Sequence, residues 1–129
     1  MITNLNLMNF KGFGSSSQDI PMNRITLLFG ANSSGKTSII QSLLLLNQTI
    51  TEVTDSSTVL LPNGNLVSLG NFREFIHKHN TKRELHIGIT TESENKMKFS
   101  FCLKEGILEL SSFEGIAIKW LESYSNIKD

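Results

Sequence analysis

The chain reads as an α/β domain in which one long helix lies behind a mixed sheet, and antiparallel strands extend that sheet. Three stretches predict this. RITLLFG (residues 24–30) is a short, almost wholly apolar run ending in glycine, the look of a strand buried on both faces. KTSIIQSLLLLNQTI (36–50) has neither Gly nor Pro and is long enough for about three to four helical turns. Leu85, Ile87 and Ile89, then Met97, Phe99, Phe101 and Leu103, alternate with the period of two that marks a β-meander.

The remaining elements follow in chain order. ITNLNLMNF places Leu5 and Leu7 at β-type spacing and predicts a first strand, and KGFGSSSQD after it is a loop or tight turn. The helix is apolar over more than one stripe (Ile39, Ile40, Leu43, Leu44, Leu45, Leu46), which predicts that it is sandwiched between layers. Residues 51–65 are polar and carry the turn signals DSS and LPNGN. SLGNFREFIHKHN predicts a short helix or partly buried turn around Phe72, Phe75 and Ile76. ESEN and KEG stand where hairpin turns belong, GILELSSF reads as a third meander strand, and GIAIKWLE as a fourth.

Composition narrows the function classes. Twelve basic and twelve acidic side chains cancel, so no global field recruits DNA or an anionic membrane. Arg73, Lys78, Lys82, Arg83, Lys96, Lys98 and Lys104 crowd into one third of the chain and read as a solvated strand-and-loop surface. Cys102 is the sole cysteine, which excludes an internal disulfide and suits a reducing cytoplasm. The N-terminus shows no basic segment before an apolar stretch, and the longest apolar run is too short for a bilayer. A cytoplasmic location is therefore expected.

The chemistry is concentrated in FGANSSGKTSII. Gly30, Ala31, Asn32, Ser33, Ser34, Gly35, Lys36 and Thr37 match the phosphate-loop pattern G-x-x-x-x-G-K-[ST], after a strand-like run and before a helix. Glycines let the backbone curl until several N–H groups converge on one anion. A helix starting near Gly35 aims its unpaired N–H groups and positive dipole end at the same place. Lys36 supplies a point charge for the β- and γ-phosphates, and the Thr37 hydroxyl one ligand for Mg²⁺.

The order of NFKGF, a strand, and LLFGANSSGKTSIIQSLLLLNQT resembles the front part of ABC-type ATPase heads, the branch with SMC, RecF and OLD-type proteins. It is most similar to bacterial AAA-family ATPases of that branch, many of them from phage-defence operons, in which stretches like LVSLGNFREFIHKH and a β-meander follow. The resemblance runs over nearly all 129 residues, although only the phosphate loop is specific by itself. It implies a single partial P-loop ATPase domain, with a phosphate-loop core over 1–50 and a β-rich subdomain over 51–129. It implies that Gly30, Asn32, Ser33, Ser34, Gly35, Lys36, Thr37 and Ser38 wrap the phosphates of ATP, with Thr37 on Mg²⁺. It also makes Lys11 and Phe13 of NFKGF candidates for contact with the nucleotide, against plainer readings as a turn lysine and a core aromatic.

Departures from the family set the expected activity. No apolar strand ends in Asp-Glu, no Ser-Gly-rich signature loop is present, and no glutamine follows the meander. The resemblance therefore implies an ATP-binding front lobe of a longer protein, inactive in hydrolysis alone, whose heads pair as a homodimer and gate an effector. DNA binding has no support in the residues, and no membrane partner is expected. The alternative is a stand-alone, non-catalytic nucleotide-sensing module that pairs with a partner protein through a strand edge. A small P-loop kinase fits poorly, because hairpins and only three arginines follow or flank the loop. His77 and His79, with His86 farther on, lack a third ligand at metal-site spacing and read as polar loop histidines.

Overall fold

A computed structural model describes residues 1–31, 35–55 and 57–115. Its strands are β1 (Ile2–Met8), β2 (Gln18–Pro21), β3 (Leu85–Thr91), β4 (Lys96–Lys104) and β5 (Ile107–Gly115). Helix α1 (Lys36–Glu52), the single turn α2 (Phe72–Phe75) and a 3₁₀ turn at His77–His79 lie between β2 and β3 in sequence. The strands make one sheet in the order β2-β1-β3-β4-β5.

Alternation decides which face of the sheet is covered. Leu5 and Leu7 of β1, Leu85 and Ile87 of β3, and Phe99 and Phe101 of β4 point into the core. Their register lines them up as Leu7 opposite Ile87, Ile87 opposite Phe99, and Leu85 opposite Phe101. On the other face Asn4 and Asn6 donate to the Asp19 carboxylate at 3.0 and 2.9 Å. Those two amides, Asn6 first, hold the Asp19 carboxyl below the usual carboxylate range. Between β4 and β5 the turn needs only Glu105 and Gly106, both at positive φ (51 and 77), the backbone of a tight two-residue hairpin.

Three expectations are corrected. The sheet was expected to be mixed, yet every neighbouring pair among β1–β5 is antiparallel. The reason lies in residues 24–30, expected as a buried strand. They form no ladder, and Ile25, Leu27 and Phe29 are 80%, 70% and 85% exposed. A strand buried on both faces needs hydrogen-bonded neighbours and a layer on each side, and no described strand pairs with this one. Helix α1 was expected between two layers. Instead it buries one stripe, with Ser38, Ser42, Leu45, Leu46, Gln48 and Thr49, while Ile40 and Ile50 are about half exposed. The expected strand GIAIKWLE falls on residues 116–122, outside the described residues.

Leu45 and Leu46 carry α1 onto the core, where Phe10, Phe72 and Phe75 join them. Phe72 meets Phe75 edge-on at 5.5 Å between ring centroids. The buried stripe is otherwise polar, and its Ser42, Gln48 and Thr49 side chains are hydrogen-bonded. Fully buried Gln48 donates to the Leu61 and Val67 carbonyls at 2.6 and 3.0 Å, and accepts from the Leu66 and Val67 N–H groups at 3.1 and 2.9 Å. One side chain thus fastens the loop of residues 61–67 to the helix. A Gln48→Leu chain is expected to lose about 2–4 kcal/mol in urea unfolding, because several buried backbone groups lose their partner.

His86 of β3 supplies a pH dependence. Its Nδ1 lies 3.2 Å from Ser100 Oγ and its Nε2 3.3 Å from Glu84. Burial, reinforced by the Lys98 charge, outweighs the Glu84 carboxylate and holds its pKa below the ordinary 6.5. The unfolded chain then binds the extra proton more readily than the folded one. Stability from this group is present above about pH 6.5 and is lost as pH falls toward the lower folded value. Thermal unfolding from pH 7.5 to 5 should show this loss, and His86→Gln should flatten it.

Candidate functional site

The site begins where β1 ends. Residues 9–14, NFKGFG, form a turn in which Asn9 and Lys11 take left-handed backbone angles (φ 59 and 49). Asn tolerates that region, whereas Lys adopts it at about 1 kcal/mol, so outside contacts must hold the turn. The Lys11 N–H donates to the Phe75 carbonyl at 2.8 Å, and the His77 N–H to the Asn9 carbonyl at 2.9 Å. The turn also closes on itself: Phe13 N–H donates to the Phe10 carbonyl and Asn9 N–H to the Gly14 carbonyl, both at 2.9 Å. The Asn9 side chain reaches the Glu84 carbonyl at 2.9 Å. Phe10, fully buried, anchors the whole turn in the core.

Phe13 is thereby brought to the start of α1. A Cβ placed on Gly35 would lie 3.3 Å from Phe13 Cε2 and 3.4 Å from Cζ, so the ring lies close against the glycine. Gly35 is the residue before the helix and has φ +93, a conformation that L side chains rarely adopt. Among the described residues no side chain caps this helix end, and no acidic residue stands in its first turn. The first turn therefore supplies no acidic counter-charge to the positive end of the helix dipole. The Lys36 ammonium donates to the Gly30 carbonyl, which ties the first turn of the helix to residue 30.

Of the residues singled out by sequence, Gly35, Lys36, Thr37 and Ser38 open α1, with Thr37 exposed and Ser38 buried. Gly30 and Phe13 are drawn to the same place, while Asn32, Ser33 and Ser34 lie outside the described residues. Lys11 sits on the same turn as Phe13 and is held through its backbone. Sequence reasoning read His77 as a polar loop histidine and passed over Asn9; in the structure the His77 ring Nδ1 contacts the Lys11 carbonyl at 2.6 Å. The signal for Asn9 was available, since Asn before an apolar anchor is a common left-handed turn residue. His77 and His79 serve the backbone, His79 Nδ1 meeting the Arg73 carbonyl at 2.7 Å. Among the described residues, no group of three His, Cys, Asp or Glu side chains is placed to hold a metal, and no helix is long and apolar enough to cross a membrane.

No protein-family model and no curated protein matches the chain. A solved structure from work on ATP-driven dimerization and DNA-stimulated activation of SMC ATPases is similar at 16% identity, with a TM-score of 0.46. The match covers 98% of this chain and 79% of that one. A likeness of that degree carries no residue role across, and the functional reading rests on the residues of this chain.

Gly35→Ala tests the local geometry. It should destabilise the chain by about 1–2 kcal/mol in denaturant titration, since Ala must adopt the strained backbone and displace the Phe13 ring.

Proposed function

We propose that the chain is an ATP-binding lobe of a P-loop ATPase and that Gly30, Asn32, Ser33, Ser34, Gly35, Lys36, Thr37 and Ser38 hold the triphosphate. The observation that carries this reading is the start of α1, uncapped among the described residues and free of acidic side chains in its first turn, with the Lys36 ammonium and Gly30 drawn to it. An anion at that point satisfies orphan N–H groups, meets the dipole and offers Lys36 a stronger acceptor than a carbonyl. Phe13, lying on Gly35, is available to a base or ribose, and Lys11 follows on the same turn. The exposed Thr37 hydroxyl suits one ligand position of Mg²⁺, which when bound neutralises β- and γ-phosphate charge.

Hydrolysis is not expected from residues 1–129, which contain no Asp-Glu pair to complete the metal site and orient water. Ile25, Leu27 and Phe29 favour a larger assembly. They alternate as a strand does, yet they are exposed, and a further lobe would cover them. In that assembly two heads close on nucleotide as a homodimer and gate an effector. The second reading, a nucleotide-sensing interaction module in the cytoplasm, draws on β5, a nine-residue strand that pairs only with β4 among the described residues.

Isothermal titration with Mg-ATP tests the proposal. The chain should bind, Lys36→Ala should weaken binding at least about tenfold, equivalent to about 1.4 kcal/mol, and turnover should stay at background. Equal affinity in Lys36→Ala, or robust steady-state hydrolysis, would overturn it.

A further inference from the structure

We infer that His77 is a positioning residue for the nucleotide site, an assignment that rests on the phosphate-loop reading above. The backbone of residue 77 and its ring grip the same turn at two points. The His77 N–H donates to the Asn9 carbonyl at 2.9 Å, and ring Nδ1 lies 2.6 Å from the Lys11 carbonyl. A carbonyl only accepts, so Nδ1 carries the proton. The other ring nitrogen faces Gly14, where a Cβ would come within 3.2 Å of Nε2. The imidazole is therefore seated between the Lys11 carbonyl and Gly14, where any side chain would crowd the ring.

This contact fixes the peptide group that follows Lys11 through its carbonyl oxygen. The Lys11 N–H is held by Phe75, but the orientation of the following peptide depends on its carbonyl, and that carbonyl meets His77. Two residues later stands Phe13, whose ring lies on Gly35 at the start of α1. Lys11 keeps its left-handed backbone only because the surroundings impose it. Without the ring, residues 11–13 have room to relax, and Phe13 leaves the face that a nucleoside would meet. His77 touches no phosphate in this arrangement; it acts by holding Lys11 and, through the turn, Phe13.

The donor at Nδ1 sits on Cγ, and the amide nitrogen of asparagine sits on the same atom, which makes His77→Asn the conservative variant. Mg-ATP affinity and unfolding midpoint are to be measured for the full chain, His77→Ala, His77→Asn and Lys36→Ala. His77→Ala should bind about tenfold more weakly, with a midpoint close to the unaltered chain, and His77→Asn should recover most of the affinity. Unchanged affinity in His77→Ala, or a loss that His77→Asn does not repair, overturns the inference. If His77→Ala does not fold, the imidazole nitrogen shifts of the unaltered chain decide: a proton on Nδ1 upholds the contact and a proton on Nε2 overturns it. Loss of binding in Lys36→Ala with none in His77→Ala defeats the positioning role alone. Binding that survives Lys36→Ala, or no binding by the unaltered chain, defeats the phosphate-loop reading and the positioning role with it.

Discussion

The hydrogen bonds between the turn at residues 9–14 and the segment at 75–77 are the constraint on which the rest of the molecule depends. Lys11 N–H to Phe75 and His77 N–H to Asn9 make a short antiparallel bridge between the end of β1 and the helical crossing that precedes β3. Through it the sheet and the helical side share one core, with Phe10 fully buried and in ring contact with Phe75 at 6.3 Å. The same bridge sets where the turn leaves the core, and the turn carries Phe13 to Gly35. The backbone bonds of this bridge hold the fold together, and the His77 ring adds a separate contact on the Lys11 carbonyl of the same turn. That explains why strained backbone at Lys11 persists, since the buried anchor on one side and paired amides on the other outweigh about 1 kcal/mol of local cost.

Helix α1 divides its surface between two tasks. Its inner stripe is short on apolar groups and relies on Gln48 to lock a loop across it, while Leu45 and Leu46 reach the aromatic core. Its outer side leaves Ile40 and Ile50 half exposed, in a chain that also exposes Ile25, Leu27 and Phe29. Single exposed apolar residues are ordinary, but three in alternation have the composition of a strand that is covered on one face.

Sequence pattern located the elements well where period and burial agree. Leu5 and Leu7, Leu85 and Ile87, and Phe99 and Phe101 alternate in sequence and alternate in the sheet, because one face of an antiparallel sheet is dry and the other wet. The helix was legible from the length of its Gly- and Pro-free run. The pattern failed where burial depends on something outside the segment. RITLLFG reads as a buried strand and lies exposed, since apolar character states what a segment can bury and not whether a neighbour is there to bury it. For the site, the spacing of Gly30, Gly35, Lys36 and Thr37 was plain in the sequence. The approach of Phe13 to Gly35 and the grip of His77 on Lys11 were not, because they join residues 22 and 66 positions apart through tertiary structure.

The central claim is that the start of α1 and the loop before it receive a triphosphate. Amide hydrogen exchange with and without Mg-ATP tests this most directly, because bound phosphate oxygens take up the very N–H groups that the helix leaves unpaired. The account predicts slowed exchange concentrated at residues 30–38, with a smaller effect at 11–14 and little change in β3, β4 and β5. Protection confined to the sheet, or exchange unaltered throughout at saturating Mg-ATP, would contradict it.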